Sequence, residues 1–138
     1  MPEKVSIWAA NAPQPFGHYA QAIKYDDMLY ISGQLPLDPQ TGLPIKGDVA
    51  EQSRRVLENI AALVQSCGGQ MGNLMTTTLY LTDLRDFPVF DKVSKDFFFF
   101  LPPARTTIVV AGLPGGCKVC MDAIGKIVPP MAEGKSMI

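Results

Sequence analysis

The sequence DVAEQSRRVLENIAALVQSCGGQMGNLMTTTLYLTD, residues 48–83, carries the two patterns that decide the fold. In its first half, apolar residues recur at intervals of three and four, which predicts an amphipathic helix over Asp48–Ser66. Asp48 and Glu51 have the spacing of a capping box, and Gly68 suits the left-handed position that follows many helices. The helix is therefore expected to cover another layer with its apolar stripe.

The second half of this segment, Asn73–Asp83, alternates as a half-buried strand does. Met75, Leu79 and Leu81 are expected on the buried face, and the other face is expected to carry Thr76, Thr78, Tyr80 and Thr82. One face of this strand therefore packs on a helix, while the opposite face is semipolar.

Strands are also expected on both sides of this segment. Upstream, Gln21–Lys24 and Met28–Ser32 predict a hairpin that turns at Asp26-Asp27. Downstream, Arg105–Ala111 and Cys117–Ile127 predict the last two strands.

A second helix is expected from about Asp86 to the stop at Pro102-Pro103. The Phe97–Phe100 run is interpreted as core plus helix end and not as a cofactor motif. The order of elements is then β-β-α-β-α-β-β, which predicts an α+β fold, a two-layer sandwich. The buried stripe of this second helix is expected to contain Phe87, Phe90, Val93, Phe97 and Leu101.

Composition limits the function classes that are compatible with the chain. Its 138 residues, 47% of them hydrophobic, fit one domain over residues 1–138. A formal net charge of -1 is unlike the basic excess of most proteins that wrap nucleic acid. No apolar run reaches the roughly 18 residues that span a bilayer, and the N-terminus lacks a signal-peptide pattern. A soluble, cytoplasmic protein is expected, with a mitochondrial or peroxisomal location as an alternative.

The cysteines and the single histidine predict neither a disulfide framework nor a metal site. Cys117 and Cys120 form a C-x-x-C, but there is no second pair, and His18 is the only histidine. A thioredoxin-type redox pair begins a helix, whereas this pair lies in a predicted strand. A structural role is therefore expected for the pair Cys117 and Cys120.

Arg105 is the residue whose position suggests ligand chemistry. It directly follows Pro102-Pro103-Ala104 and opens an apolar strand. A guanidinium at the mouth of a strand can grip a small carboxylate in a bidentate manner. The alternative is an ordinary surface arginine with a solvated head group. Composition and spacing leave both interpretations open.

Short motifs along the chain occur in the same order as in a known protein family, which makes the resemblance specific. They are Asn11-Ala12-Pro13, Gly17-His18-Tyr19-Ala20-Gln21-Ala22, Tyr30-Ile31-Ser32-Gly33-Gln34, Asp38-Pro39-Gln40-Thr41-Gly42, Gln52 through Asn59, Thr77 through Asp83, Pro103-Ala104-Arg105-Thr106 and Leu113-Pro114. Together they resemble the Rid family, the YjgF-type reactive-intermediate deaminases, also called translation-inhibitor or liver perchloric-acid-soluble proteins. The resemblance covers about residues 11–128, and residues 131–138 are expected to form a loose tail.

The resemblance implies a fold, an assembly and a reaction. Rid proteins form chorismate-mutase-like homotrimers with a central barrel and a ligand cleft at each subunit interface. Active members hydrolyse 2-imino acids to 2-keto acids and ammonia, with no cofactor. By the same resemblance, Arg105 binds the substrate carboxylate, Tyr19, Ser32 and Gly33 shape the pocket, and a glutamate on the last strand orients the water.

The sequence departs from the family pattern at three informative positions. The water-activating glutamate falls at Cys120, which is interpreted either as a reactive thiolate or as an inert filler. The family's helix asparagine falls at Asp91, which is either a replacement base in the substrate site or a helix-surface residue. His18 replaces a proline and is either a proton donor or a solvated loop residue.

These departures predict retained binding of a small 2-imino or 2-keto carboxylate with weakened deamination. Loss of a positioned general base costs roughly 10²–10⁴ in rate. The predicted catalytic positions are Arg105 and Cys120, and the predicted substrate contacts are Tyr19, Ser32, Gly33, Asp91 and Arg105. A catalytically silent carboxylate-binding trimer is the first alternative. An endoribonuclease is the second, and the absence of a basic, aromatic-rich stripe argues against it.

Overall fold

The first helix begins and ends as the sequence predicts. In the computed structural model, which describes residues 3–127, helix α1 spans Val49–Ser66. The Asp48 carboxylate accepts the Glu51 N–H at 2.9 Å, and the Glu51 carboxylate accepts the Asp48 N–H at 3.1 Å. Gly68 follows the helix with φ of +80°, a value that residues with a side chain rarely adopt.

The sheet contains one strand more than the sequence analysis predicts. The additional strand β1, Lys4–Ile7, lies at the edge of the sheet, and three of its four residues are exposed. An exposed edge strand has no buried face to create an alternating pattern. The predicted order β-β-α-β-α-β-β is therefore wrong at its start, and the observed order is β-β-β-α-β-α-β-β. The other strands are β2 (Ala22–Tyr25), β3 (Met28–Gln34), β4 (Leu74–Leu81), β5 (Ala104–Val109) and β6 (Val119–Lys126).

The six strands form one mixed sheet in the order β1-β2-β3-β6-β4-β5. Strands β4 and β5 are parallel, and every other neighbouring pair is antiparallel. The predicted hairpin is confirmed, because Tyr25 pairs with Met28 and leaves Asp26-Asp27 as its turn. The last strand, β6, lies between β3 and β4, near the centre of the sheet.

One face of the sheet is covered by helices. Helix α1 packs on β3 and β6, and the second helix, α2 (Phe87–Ser94), packs beside α1. Complete burial of a leucine, isoleucine or valine contributes about 1.5–3 kcal/mol. The fully buried residues of this core include Leu29, Val56, Leu57, Ile60, Leu63, Val64, Leu79, Leu81, Phe90 and Val119.

The other face of the sheet is largely uncovered by the residues that the structure describes. Tyr30, Met75 and Ile108 are 43%, 59% and 42% exposed there. Met75 was expected in the core, but the register of β4 against β6 shifts between Leu74 and Thr76. Before this bulge the alternation is reversed, so that Leu74 is buried instead of Met75, whereas Thr77, Leu79 and Leu81 beyond it keep the predicted phase.

The second helix is shorter than the sequence predicts. It ends at Ser94. Directly after it, the Asp96 N–H donates to the Val93 carbonyl and the Phe97 N–H donates to the Ser94 carbonyl, which forms a turn. Beyond this turn the helical period no longer applies, so Leu101 is exposed and not part of a buried stripe. Of the interpretation of the phenylalanine run as core plus helix end, the core part is confirmed by Phe97 and Phe98, and the helix-end part is wrong because α2 has already ended where the exposed Phe99 and Phe100 follow. The tail expected at residues 131–138 lies outside the described residues.

Candidate functional site

Arg105 is held in a defined position on the helix-covered face of the sheet. Its side chain is 21% exposed, and its guanidinium carbon lies 5.2 Å from the ring centre of Phe90 and 5.8 Å from that of Phe87. Both distances lie within the range of cation–π attraction. Of the two sequence interpretations, the solvated surface arginine is therefore the one that the structure contradicts.

Two polar side chains of α2 accept hydrogen bonds from Arg105. Nη1 donates to the Asp91 carboxylate at 2.9 Å, and Nη2 donates to the Ser94 hydroxyl at 3.2 Å. The Ser94 hydroxyl in turn donates to the Asp91 carbonyl at 2.7 Å, which fixes its orientation. The remaining N–H groups of Arg105 form no hydrogen bond with any residue in 3–127, so the guanidinium retains donors for a ligand.

A cavity of about 420 Å³ opens beside this guanidinium. Its size falls in the range of small-molecule sites. Two charged groups of opposite sign, Arg105 and Asp91, lie in its wall, and Lys95 adds an exposed cation. The other lining residues are mostly apolar, and they are Thr77, Phe87, Ser94, Phe98, Pro102, Pro103, Thr107 and Met121.

Cys120 lies on the opposite face of the sheet. Arg105 pairs with Thr77, whereas Cys120 and Ile108 both pair with Tyr80. Positions 105 and 108 differ by an odd number along one strand, so their side chains point to opposite faces. Within one chain, the structure therefore does not bring Arg105 and Cys120 together.

The surroundings of Cys120 keep its thiol neutral. It packs in a small apolar cluster with Leu35, Leu37 and Cys117. Burial is the main cause that raises the pKa of Cys120 to about 12, and the negative charge of Asp122 adds to the effect. A thiol becomes nucleophilic when cationic neighbours lower its pKa. Of the two interpretations of Cys120, the structure supports the inert filler.

Gly33 is the predicted site residue that contacts Cys120. A Cβ atom added at Gly33 would lie 3.1 Å from the sulfur, so the close packing of these two strands requires a glycine there. The hydroxyl of Ser32 donates to the carbonyl of Ala20 at 2.7 Å and anchors the loop that precedes β2.

Tyr19 and His18 lie in that same loop and are exposed. The Tyr19 ring meets the Phe16 ring edge to face, with 5.8 Å between the ring centres. No hydrogen bond within residues 3–127 involves the His18 side chain, so the solvated-loop interpretation fits its position.

The family model described as "Endoribonuclease L-PSP" matches residues 9–127. The chain belongs to this family, the Rid proteins. A RutC family protein of Pyrococcus abyssi is 40% identical over 121 residues, which cover 88% of this chain and 95% of that protein. The 2-iminobutanoate/2-iminopropanoate deaminase of Mus musculus is 36% identical over 118 residues, covering 86% of this chain and 87% of that protein.

A solved structure confirms the α+β fold of this Rid chain. The crystal structure of E. coli TdcF with bound serine superposes with a TM-score of 0.85 at 36% identity. The superposition covers 90% of this chain and 99% of that one. The six-stranded sheet with two helices on one face is therefore the Rid fold.

Sequence reasoning missed several residues around the Arg105 guanidinium of this Rid chain. Ser94 was not singled out, although it lies three residues after Asp91 and therefore on the same side of α2. Phe87 and Phe90 were assigned to the core only, yet their rings flank the guanidinium. The helical spacing of these four residues was the available signal.

The open face of the sheet carries a second polar pair that the sequence analysis did not identify. The Tyr80 hydroxyl donates to the Asp122 carboxylate at 2.9 Å. This bond is the largest cause of a raised pKa at Tyr80. The Tyr80 hydroxyl therefore has an acceptor within the chain.

Two further searches concern residues 3–127. No helix in this range is long and apolar enough to cross a membrane. No group of three or more histidine, cysteine, aspartate or glutamate side chains in the same range is arranged to hold a metal ion.

Proposed function

We propose that this Rid protein is an imine deaminase that converts a small 2-imino acid to the 2-keto acid and ammonia. The observation that carries the proposal is the Arg105 guanidinium, which is four-fifths buried, lies within 6 Å of two aromatic rings, keeps free donors and lines a cavity of about 420 Å³. Relatives at 36% identity are named 2-iminobutanoate/2-iminopropanoate deaminase. The structurally similar TdcF holds serine, which also carries a carboxylate next to a nitrogen-bearing carbon.

In the proposed reaction, the substrate carboxylate binds the free N–H groups of Arg105. Water attacks C2 and forms a C–O bond, while the C=N electron pair moves to nitrogen. A proton passes from the added oxygen to nitrogen, and the C–N bond then breaks with its electron pair leaving on ammonia. Loss of the hydroxyl proton completes the 2-keto acid. Positioning contributes most of the rate in this scheme, because the iminium is already electrophilic.

The assembly that we propose is a homotrimer with a cleft between neighbouring subunits. Arg105 lies on one face of the sheet and Cys120 and Gly33 on the other, so both groups can line one cleft only if two chains contribute to it. The uncovered sheet face, with Tyr30, Met75 and Ile108 exposed, is suited to packing against another copy. Sedimentation of the purified protein tests this part, and a monomer at all concentrations would contradict it.

Deaminase activity is tested by generating the imine in place. An amino-acid oxidase releases 2-iminobutanoate from 2-aminobutanoate, and the appearance of 2-oxobutanoate is followed with and without the Rid protein. We expect faster release of the keto acid with the protein, and no gain with Arg105→Ala. The same rate with and without the wild-type protein would contradict the proposal.

A catalytically silent carboxylate-binding trimer is the second candidate function. Cys120 favours it, because a neutral thiol stands where the family resemblance implies a carboxylate. This candidate predicts measurable binding of 2-oxobutanoate together with no acceleration of imine hydrolysis. The oxidase assay and a binding titration on one preparation therefore separate the two candidates.

A further inference from the structure

The wall of the Arg105 cavity carries a negative charge beside the positive one. Asp91 Oδ1 accepts from Arg105 Nη1 at 2.9 Å, and both residues line the cavity. The Asp91 side chain is 45% exposed and that of Arg105 is 21% exposed. Among residues 3–127, no hydrogen bond reaches the second oxygen of Asp91, Oδ2. The more open member of the pair therefore keeps an acceptor atom for a ligand.

This pair discriminates between ligands by charge. A 2-keto acid brings one negative charge, which Arg105 attracts and Asp91 repels. A 2-amino or 2-iminium acid brings a carboxylate and a cationic nitrogen on adjacent carbons, and these two charges complement the Arg105–Asp91 pair. Lys95, the remaining charged residue at the cavity, is exposed, so water and salt screen its effect.

We propose that Asp91 makes this cavity a site for zwitterionic 2-amino and 2-iminium carboxylates in preference to 2-keto acids. The ligand carboxylate binds the free N–H groups of Arg105, and the ligand nitrogen donates to Oδ2 of Asp91. Because it names the ligand class of the same site, this inference rests on the proposed function.

The preference has a consequence for turnover. While the nitrogen remains on the substrate, its positive charge is held by Asp91. After hydrolysis that charge leaves as ammonium, and Asp91 then faces the uncharged carbonyl oxygen of the keto acid. An aspartate and a carbonyl oxygen are both acceptors and form no hydrogen bond with each other. The product is therefore held less tightly than the substrate, which favours its release.

Two ligands that differ only at C2 test the inference. L-2-aminobutanoate and 2-oxobutanoate have the same carbon chain, and their dissociation constants are measured by calorimetric titration of the full-length protein. We expect the amino acid to bind about tenfold tighter, as one charge-assisted hydrogen bond would give. In Asp91→Asn, which keeps an acceptor for Arg105, we expect this preference to disappear, with weaker binding of the amino acid and equal or tighter binding of the keto acid.

Asp96→Asn is the matched control, because Asp96 is also a carboxylate in an ion pair, with Arg54, and does not line this cavity. It should keep the wild-type preference. If Asp91→Asn binds both ligands more tightly by the same factor, Asp91 merely competes for Arg105 and the inference is overturned. An equal affinity of the wild-type protein for the two ligands would overturn it as well.

Arg105→Ala separates this inference from the proposed function. If Arg105→Ala binds neither ligand, the carboxylate site is correct whatever Asp91→Asn shows. If Arg105→Ala binds both ligands as the wild type does, the proposed site itself is wrong. Circular dichroism of each variant confirms that the fold is retained, so that a loss of binding reports on the site.

Discussion

Arg105 and Cys120 lie on the two faces of one sheet, and the fold surrounds them in different ways. Arg105 donates hydrogen bonds to a carboxylate and a hydroxyl and makes cation–π contacts with two aromatic rings, and all four groups belong to α2. Cys120 packs against apolar neighbours and against Gly33, whose lack of a side chain leaves room for the sulfur. The first region presents a cation with free donors, and the second is closely packed. Substitutions in the two regions therefore test the proposed ligand binding and the proposed proton transfer separately.

Arg105→Ala tests the first region and should have the largest effect. It removes the charge-assisted hydrogen bonds to the ligand carboxylate, each of which contributes about 1.5–3 kcal/mol. Two such bonds correspond to a loss of roughly 10³-fold in affinity for 2-oxobutanoate, measured by titration. Arg85→Ala is the control, because Arg85 is 89% exposed and forms its ion pair with Asp83, which is nearby in the chain. A similar loss in both variants would show that Arg105 has no special role.

Cys120→Glu tests the second region in the opposite direction. A carboxylate at this position would supply a base for the attacking water, and we expect a gain of roughly 10²-fold in imine hydrolysis, the lower end of the usual range for general-base catalysis. The oxidase-coupled assay measures it. Cys120→Gln has nearly the same shape without the charge, so a gain in both variants would exclude base catalysis as the cause. No gain in either would mean that position 120 does not face the reacting carbon.

The comparison also explains which parts of the molecule were predictable from sequence. Helix α1 was predicted to within one residue, because a long apolar period and a capping box agree. Strand β1 was missed because an exposed edge strand leaves no periodic signal. The bulge at Leu74–Thr76 was missed because the sequence pattern shows no interruption there. Only the register of β4 against β6 shifts at this point. Local patterns therefore define elements, whereas register depends on partners distant in the chain.

The candidate site was predictable in its residue types and not in its arrangement. The family resemblance indicated Arg105, Asp91, Gly33 and Cys120 as site positions. It did not indicate that Asp91 accepts a hydrogen bond from Arg105, because that contact depends on how α2 packs on the sheet. It also did not indicate that Cys120 and Arg105 lie on opposite faces, because that depends on the register of β6 in the sheet. An aspartate at position 91, where the family resemblance implies an asparagine, adds a negative charge to the site. The effect of this charge on a ligand depends on the 2.9 Å contact between Asp91 Oδ1 and Arg105 Nη1.

Gly33→Ala tests the packing interpretation of the second region with a smaller expected effect. The new Cβ would lie 3.1 Å from the Cys120 sulfur, so the Cys120 side chain must shift by a few tenths of an ångström. Overpacking of this kind costs about 1–3 kcal/mol of unfolding free energy, measured by urea denaturation. Cys120→Ala in the same chain should restore most of the loss. Gly72→Ala is the control, since a Cβ there meets no atom within 4 Å.

The pH dependence of stability gives the smallest effect and tests the neutrality of the Cys120 thiol. Burial raises its pKa to about 12 in the folded chain, so between the unfolded and folded pKa values only the unfolded chain releases the proton. Stability from this group is fully present below the unfolded pKa and is lost as pH rises toward the folded pKa. With an unfolded pKa of 9.0, the wild type should lose about 0.8 kcal/mol more unfolding free energy than Cys120→Ala between about pH 8 and about pH 9.5.

Chemical denaturation at the two pH values measures this difference, and Cys67→Ala is the control. Cys67 lies at the end of α1, outside the apolar cluster that holds Cys120. Cys67→Ala should lose as much as the wild type does, and if Cys120→Ala also loses that amount, the thiol at position 120 ionises in the folded state as it does in the unfolded chain. In that case a thiolate stands on the second face of the sheet, and Cys120 would regain a catalytic role because a thiolate can accept a proton from water. If instead the difference is present, Cys120 stays neutral and supplies no base to the proposed reaction.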